Sequence, residues 1–277
     1  MNKSDSAEKL TYDSNPFTLS FRAFGLFLDF ARGVFIAMLV IGFLSFAGDI
    51  ISSLPSFFTS NDQTQTTQVD SPAAPLIENI DWSLVALISG TVLMFILFIA
   101  TIAFIVGTAY KGFIAAGAVS AVDKKPISIG EAFSAMTDRF GTLLIAELKI
   151  LVRVIGGFLL FIVPGIRAYL RYQSVPYIIM KDKDVTSSQA LEQSKSTYKN
   201  HLLEVFGIAT VGAIIPVIGQ AFFASGMAMS LKQLTFYQNQ KLDTPPTHWL
   251  NYIGFVLIAF AITAVTSLLV ILALLIS

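Results

Sequence analysis

Residues 83–110 read SLVALISGTVLMFILFIATIAFIVGTAY, a run without one charged side chain. As a helix rising 1.5 Å per residue it would extend about 40 Å, more than the roughly 30 Å of a bilayer's hydrocarbon core. Apolar runs recur at about 33–54, within 141–180 and 202–231, and at about 249–276. A soluble core would break such runs with polar residues at every second or every third to fourth place. The whole chain follows the same bias, with 55% hydrophobic and 13% charged residues, where soluble domains carry about a quarter charged. The expected fold is all-α: a polytopic helical protein of the cell membrane.

Composition removes several classes of chemistry. The chain has no cysteine, so disulfides, thiolate nucleophiles and cysteine-held metals are out. Its two histidines, His201 and His248, are far apart, and no paired carboxylates or nucleophile–base pair stand out. Asp182 and Asp184 lie in a Lys-Asp-Lys-Asp turn that reads as a solvated loop rather than a cation site. No enzyme, cofactor or metal is expected. Net charge is zero, with 18 basic and 18 acidic residues, which offers no footprint for nucleic acid.

Residues 1–14 read as a mobile polar tail without the pattern of a cleaved signal, so the first span is expected to be retained. Segment 15–54 opens with Asn15-Pro16, an N-cap followed by proline at the first helical position. Phe17, Phe21, Phe24 and Leu28 then share one helical face, with Arg22, Asp29 and Arg32 on another and Asp29 paired within it. Segment 55–82 is a polar loop without Lys or Arg, and 83–122 is a second span ending in small residues from Gly112 to Ala121. Small residues let helices approach closely in lipid. Ser128-Ile-Gly-Glu131 and Thr186-Ser-Ser-Gln189 both match a capping box and lie 58 residues apart. Ala132, Phe133, Phe140 and Leu144 match Ala190, Leu191, Tyr198 and Leu202 at that offset. Segments 123–180 and 181–241 are therefore expected to be two copies of an amphipathic helix plus hairpin, and 242–277 a last span.

Basic residues gather on the cytoplasmic side of short loops. Lys3, Lys9, Arg22 and Arg32 place the N-terminus inside, and the 55–82 loop then lies outside. Lys111, Lys124, Lys125 and Arg139 return the chain inside, and 181–199 is basic again. Between inside flanks, 141–180 must cross an even number of times, with a turn at Pro164-Gly165; 202–231 would turn near Pro216–Gly219. Seven spans result, or five if each proline hairpin is shallow or re-entrant.

The stretch Phe161-Ile-Val-Pro164-Gly165-Ile166, with Tyr172, Tyr177-Ile-Ile-Met and Ser188-Gln-Ala190-Leu-x-x-Ser194, resembles a family of bacterial and archaeal multi-pass membrane proteins. It includes the membrane domain attached to some glycerophosphodiester phosphodiesterases, and its mark is an Ile-Pro-Gly-Ile turn. The resemblance covers roughly residues 15–240 and implies six spans ending near an aromatic–polar stretch like Thr235-Phe236-Tyr237-Gln238. This chain has an additional C-terminal apolar run and no phosphodiesterase domain, so that activity does not carry over.

Charges inside apolar runs are the candidate site, because they are costly there. Lys149 and Arg153, and again Arg167 and Arg171, sit four apart on one helical face near Glu147. About a Pro164-Gly165 turn, Arg153 would lie about 16 Å and Arg171 about 10 Å below it. The expected site is a basic pocket holding an anionic lipid headgroup, with Glu147 as counter-charge. The plainer alternative is snorkelling of the basic residues to the interface and a structural pair for Glu147. The role expected is a non-catalytic module organising lipids, anionic ones among them, or membrane-protein partners. A small transporter or channel is the alternative.

Overall fold

The computed structural model describes residues 11–43, 82–215 and 218–276, and all regular structure among them is helical. It divides into two units, Met1–Gly42 with Ala109–Ser277, and Phe43–Thr108. In the second unit the described structure is mainly the amino-terminal part of one helix, α3 (Trp82–Val122). From Leu87 to Val106 nearly every residue of α3 is exposed. The rest of α3 lies in the first unit, where Ala115, Ala118 and Ala121 are fully buried.

The first unit opens with α1 (Pro16–Phe30) and α2 (Arg32–Phe43), bent by 107° at Ala31. The Asn15 side chain accepts from the Phe17 amide at 3.0 Å, and Pro16 follows at the position where its missing N–H costs nothing. The buried face of α1 is Leu19, Ser20, Ala23 and Phe27, one step round from the expected Phe17, Phe21, Phe24 and Leu28 stripe. The reason is close packing: α1 lies against the small residues of α9 (Gly219–Asn239), where a Cβ on Gly226 would sit 2.6 Å from Ser20 Oγ. Phe24 and Phe21 are left at the edge, stacked on and edge-on to Phe222. Asp29 forms no ion pair with Arg22 or Arg32 among the described residues.

Both capping boxes form. Ser128 and Glu131 exchange backbone and side-chain bonds at the start of α4 (Ile129–Leu160), as do Thr186 and Gln189 at α7 (Ser187–Thr197). After α4 the chain reverses at Phe161 into α5 (Ile162–Arg171), then steps through Tyr172–Ser174 into α6 (Val175–Lys181). After α7 it runs into α8 (Leu202–Ile214) and reverses into α9. The starts of α4 and α7, at residues 129 and 187, and the ends of α6 and α9, at 181 and 239, are each 58 apart. In between, the breaks trade places: α4 is continuous where α7–α8 breaks, and α9 is continuous where α5–α6 breaks. A one-turn 3-10 helix, Trp249–Tyr252, leads into α10 (Ile253–Ile276).

Seven spans are not what these helices support. Among the described residues one helix, from Leu87 to Val122 with mean hydropathy 2.7, is long and apolar enough to cross a bilayer, or two if the bent α1–α2 pair counts as one span. The return arm α5 has 10 residues and the outgoing arm α8 has 13, about 15 and 20 Å against the 30 Å required. The first hairpin also turns at Phe161 rather than at Pro164-Gly165. Pro164 sits in the first turn of α5, where it lacks only an N–H that would have no partner. Gly165 is spent on contact between the two arms: a Cβ on the facing Gly157 would lie 2.9 Å from its Cα. Residues 44–54 of the expected first span, the expected 55–82 loop except Trp82, which opens α3, and Pro216 of the second turn lie outside the described residues.

Candidate functional site

The five charges expected to form one pocket are dispersed. Glu147 is buried on α4 and takes a 2.9 Å bond from Lys111 Nζ of α3, so its partner is structural and outside the expected set. Lys149 turns the other way and donates to Ser187 Oγ at 3.0 Å and Ser188 Oγ at 2.8 Å in the first turn of α7. Arg139, further up the same helix, donates to the Val185 carbonyl just before that turn. The polar side of α4 thus holds the entry to α7.

The three arginines remain on the hairpin. Arg153 lies over the Tyr172 ring at 5.4 Å, a cation–π contact between the two arms. Arg167 is exposed on α5, and Arg171 has its Nε buried without a hydrogen-bond partner. None of the three forms an ion pair among the described residues. What they surround is apolar. Leu159, Leu160, Phe161, Ile162 and Val163 at the hairpin end are 69–83% exposed. Soluble proteins rarely display so continuous an apolar patch.

A second polar cluster escaped the sequence reading. Glu204, in the first turn of α8, is 4% exposed. Its Oε2 accepts from the Tyr12 hydroxyl at 2.5 Å, and its Oε1 lies 3.0 Å from His201 Nδ1. Tyr12 is held in turn by Tyr237, whose hydroxyl accepts from the Tyr12 amide at 3.1 Å. Gln233 Nε2 donates to the Thr11 carbonyl at 3.1 Å, and Asn251 Nδ2 to the Ser14 carbonyl at 2.7 Å. Burial and the Glu204 carboxylate push the Tyr12 phenol well above the ordinary tyrosine range. Residues 11–14 are therefore a fixed strap, not the end of a mobile tail, and His201 faces the Glu204 carboxylate. The signal available in the sequence was weak: a tyrosine in a polar stretch and a glutamate opening an apolar run, 192 residues apart.

His248 caps the 3-10 helix by accepting from the Leu250 amide at 3.3 Å. Asp182 accepts from the Asp184 amide within an exposed loop. No group of three or more potential ligand residues forms a metal site among the described residues. Against known proteins, the chain matches no family model, no curated sequence and no solved structure.

Proposed function

We propose that this chain is an integral protein of the cell membrane, N-terminus inside, that organises lipids or membrane partners without catalysing a reaction. One observation carries the reading: twenty residues of α3, Leu87 to Val106, extend about 30 Å with almost every apolar side chain exposed. A surface of that length and composition matches a hydrocarbon core and would be costly in water. Exposed apolar side chains on α10, at Phe255–Ile258, Phe260, Ile262, Val270 and Ile271, support a further span. The polar clusters do structural jobs. Glu147 is tied to Lys111, Lys149 to the α7 entry and Glu204 to the strap, which leaves no free nucleophile–base pair among them.

The resemblance to the Ile-Pro-Gly-Ile turn family belongs to the same proposal without its six-span pattern, which hairpin arms of 10 and 13 residues are too short to supply. Because the chain has no cysteine, single cysteines in intact cells test the arrangement. A thiol placed in 55–82 should react with an impermeant maleimide from outside, and one at Asp184 only after the inner face is opened. Reaction of both from one face sinks the arrangement, and recovery of the chain in the aqueous fraction without detergent sinks the membrane reading. A transporter would draw support from the buried carboxylates. Uptake into proteoliposomes abolished by Glu147→Gln or Glu204→Gln would favour it.

A further inference from the structure

The return arm of the α4–α5 hairpin is too short to cross a bilayer. That arm, α5, 10 residues long, has a helical length of about 15 Å, half a hydrocarbon core. The backbone reverses at Phe161, and the five residues from Leu159 to Val163 make its apolar end. Counted along the arms from Phe161, Arg167 is about 9 Å away, Arg153 and Tyr169 about 12 Å, and Arg171 about 15 Å. An apolar end at the bilayer midplane would therefore set three guanidinium groups, each able to extend several ångströms further, at the phosphates of one leaflet. Tyr169, exposed on α5, sits at the same level, where aromatic rings favour the membrane interface, while Tyr172 is buried beneath Arg153.

Charge singles out the leaflet. No acidic residue occurs between Lys149 and Lys181, and the arginines have no ion-pair partner among the described residues. Arg153 is braced by Tyr172 at 5.4 Å rather than neutralised. The second hairpin provides the contrast. Its 205–231 stretch holds no Lys or Arg, and its outgoing arm α8 buries Val205, Ile208 and Val211 inside the protein. The two hairpins thus differ: one face of α8 is buried in the helical core, whereas the α4–α5 hairpin is apolar and exposed at its end and basic at its base.

We propose that the α4–α5 hairpin is a half-depth wedge: Leu159–Val163 lie in the hydrocarbon of one leaflet, and Arg153, Arg167 and Arg171 hold the phosphates of anionic lipids in that same leaflet. The wedge rests on the membrane reading above and narrows it to a site and a lipid class. It also enters and leaves on one side, as the basic flanks of 141–180 require.

The test uses the full chain in vesicles of phosphatidylglycerol and phosphatidylcholine, with an environment-sensitive fluorophore on Phe161→Cys, Phe95→Cys or Asp184→Cys. At Phe161 the wedge gives strong quenching by nitroxides near the acyl-chain terminus, and no reaction of the unlabelled thiol with impermeant maleimide from either side. Maleimide reaction at Phe161 from either face, quenching only by headgroup nitroxides, or shielding from every lipid quencher (a protein partner or second copy on the hairpin) each overturns it. Phe95 on α3 separates the two levels of inference. If Phe95 is water-exposed the membrane reading fails, and if Phe95 is in lipid while Phe161 is not, the wedge alone fails. Combined Arg153→Gln, Arg167→Gln and Arg171→Gln changes should lower the preference for phosphatidylglycerol over phosphatidylcholine among co-purified lipids about tenfold. An unchanged preference in a variant of normal helix content overturns the basic collar.

Discussion

Tyr12 shows how much one side chain can hold in place. Its hydroxyl gives Glu204 a 2.5 Å bond and its amide reaches Tyr237, so the amino-terminal strap depends on it from both ends. Tyr12→Phe leaves a buried carboxylate oxygen without its hydroxyl donor, which should cost about 1–3 kcal/mol. The loss would appear as a lower melting temperature in detergent, with faster proteolysis near residues 11–14. Glu204→Gln keeps an acceptor for Tyr12 while removing the charge, and should cost less than Glu204→Ala. The capping boxes give a second expectation at this scale. Thr186→Ala removes the acceptor of the Gln189 amide and should destabilise by about 1 kcal/mol. At the other cap, bonds from the Ser128 backbone and hydroxyl lower the Glu131 pKa below its ordinary 4.5. A depressed acid adds stability that is complete above its unfolded value and disappears as pH falls through the folded one. The stability difference between the native chain and Glu131→Gln should therefore be present at neutral pH and shrink on acidification below about 4.5, read by chemical unfolding across pH.

The helices themselves were partly legible beforehand. Asn15-Pro16, Ser128-x-x-Glu131 and Thr186-x-x-Gln189 are short-range signals whose partners lie within three residues, and each begins a helix where it should. The reversals were harder. A proline and a glycine marked Pro164-Gly165, but proline is tolerated in a first helical turn, so it points to a nearby break and not to its residue. Helix length was the larger error, because hydropathy reports how apolar a run is and not where its backbone turns. The buried face of α1 was unreadable for a different reason: it is selected by the small residues of α9, about two hundred positions away. Close approach also gives this scale its prediction. A Cβ on Gly219 would lie 1.8 Å from the Gly212 carbonyl oxygen, so Gly219→Ala must push α8 and α9 apart. It should cost about 1–3 kcal/mol, seen as a lower melting temperature, while Gly130→Ala, with open space at its Cβ, should leave it unchanged or slightly raised.

At the scale of the molecule, the dispersal of the expected basic pocket has a simple cause. Lys149 and Arg153 share a helical face by spacing, yet the long lysine reaches α7 while Arg153 turns to Tyr172. Spacing within a helix says which residues are neighbours, whereas partners on other helices decide where long side chains go. The strap has the same character, since its partners are Glu204, Gln233, Tyr237 and Asn251. That feature has a kinetic meaning. Tyr12 and Tyr237 are separated by 225 positions and Ser14 and Asn251 by 237. At synthesis rates of about 5–20 residues per second, the strap emerges roughly 10–45 s before the groups that receive it exist. Throughout that interval the start of the chain has nowhere to dock, so this clasp is among the last tertiary contacts a newly made molecule can close, and shortening the chain from its far end would leave the near end loose.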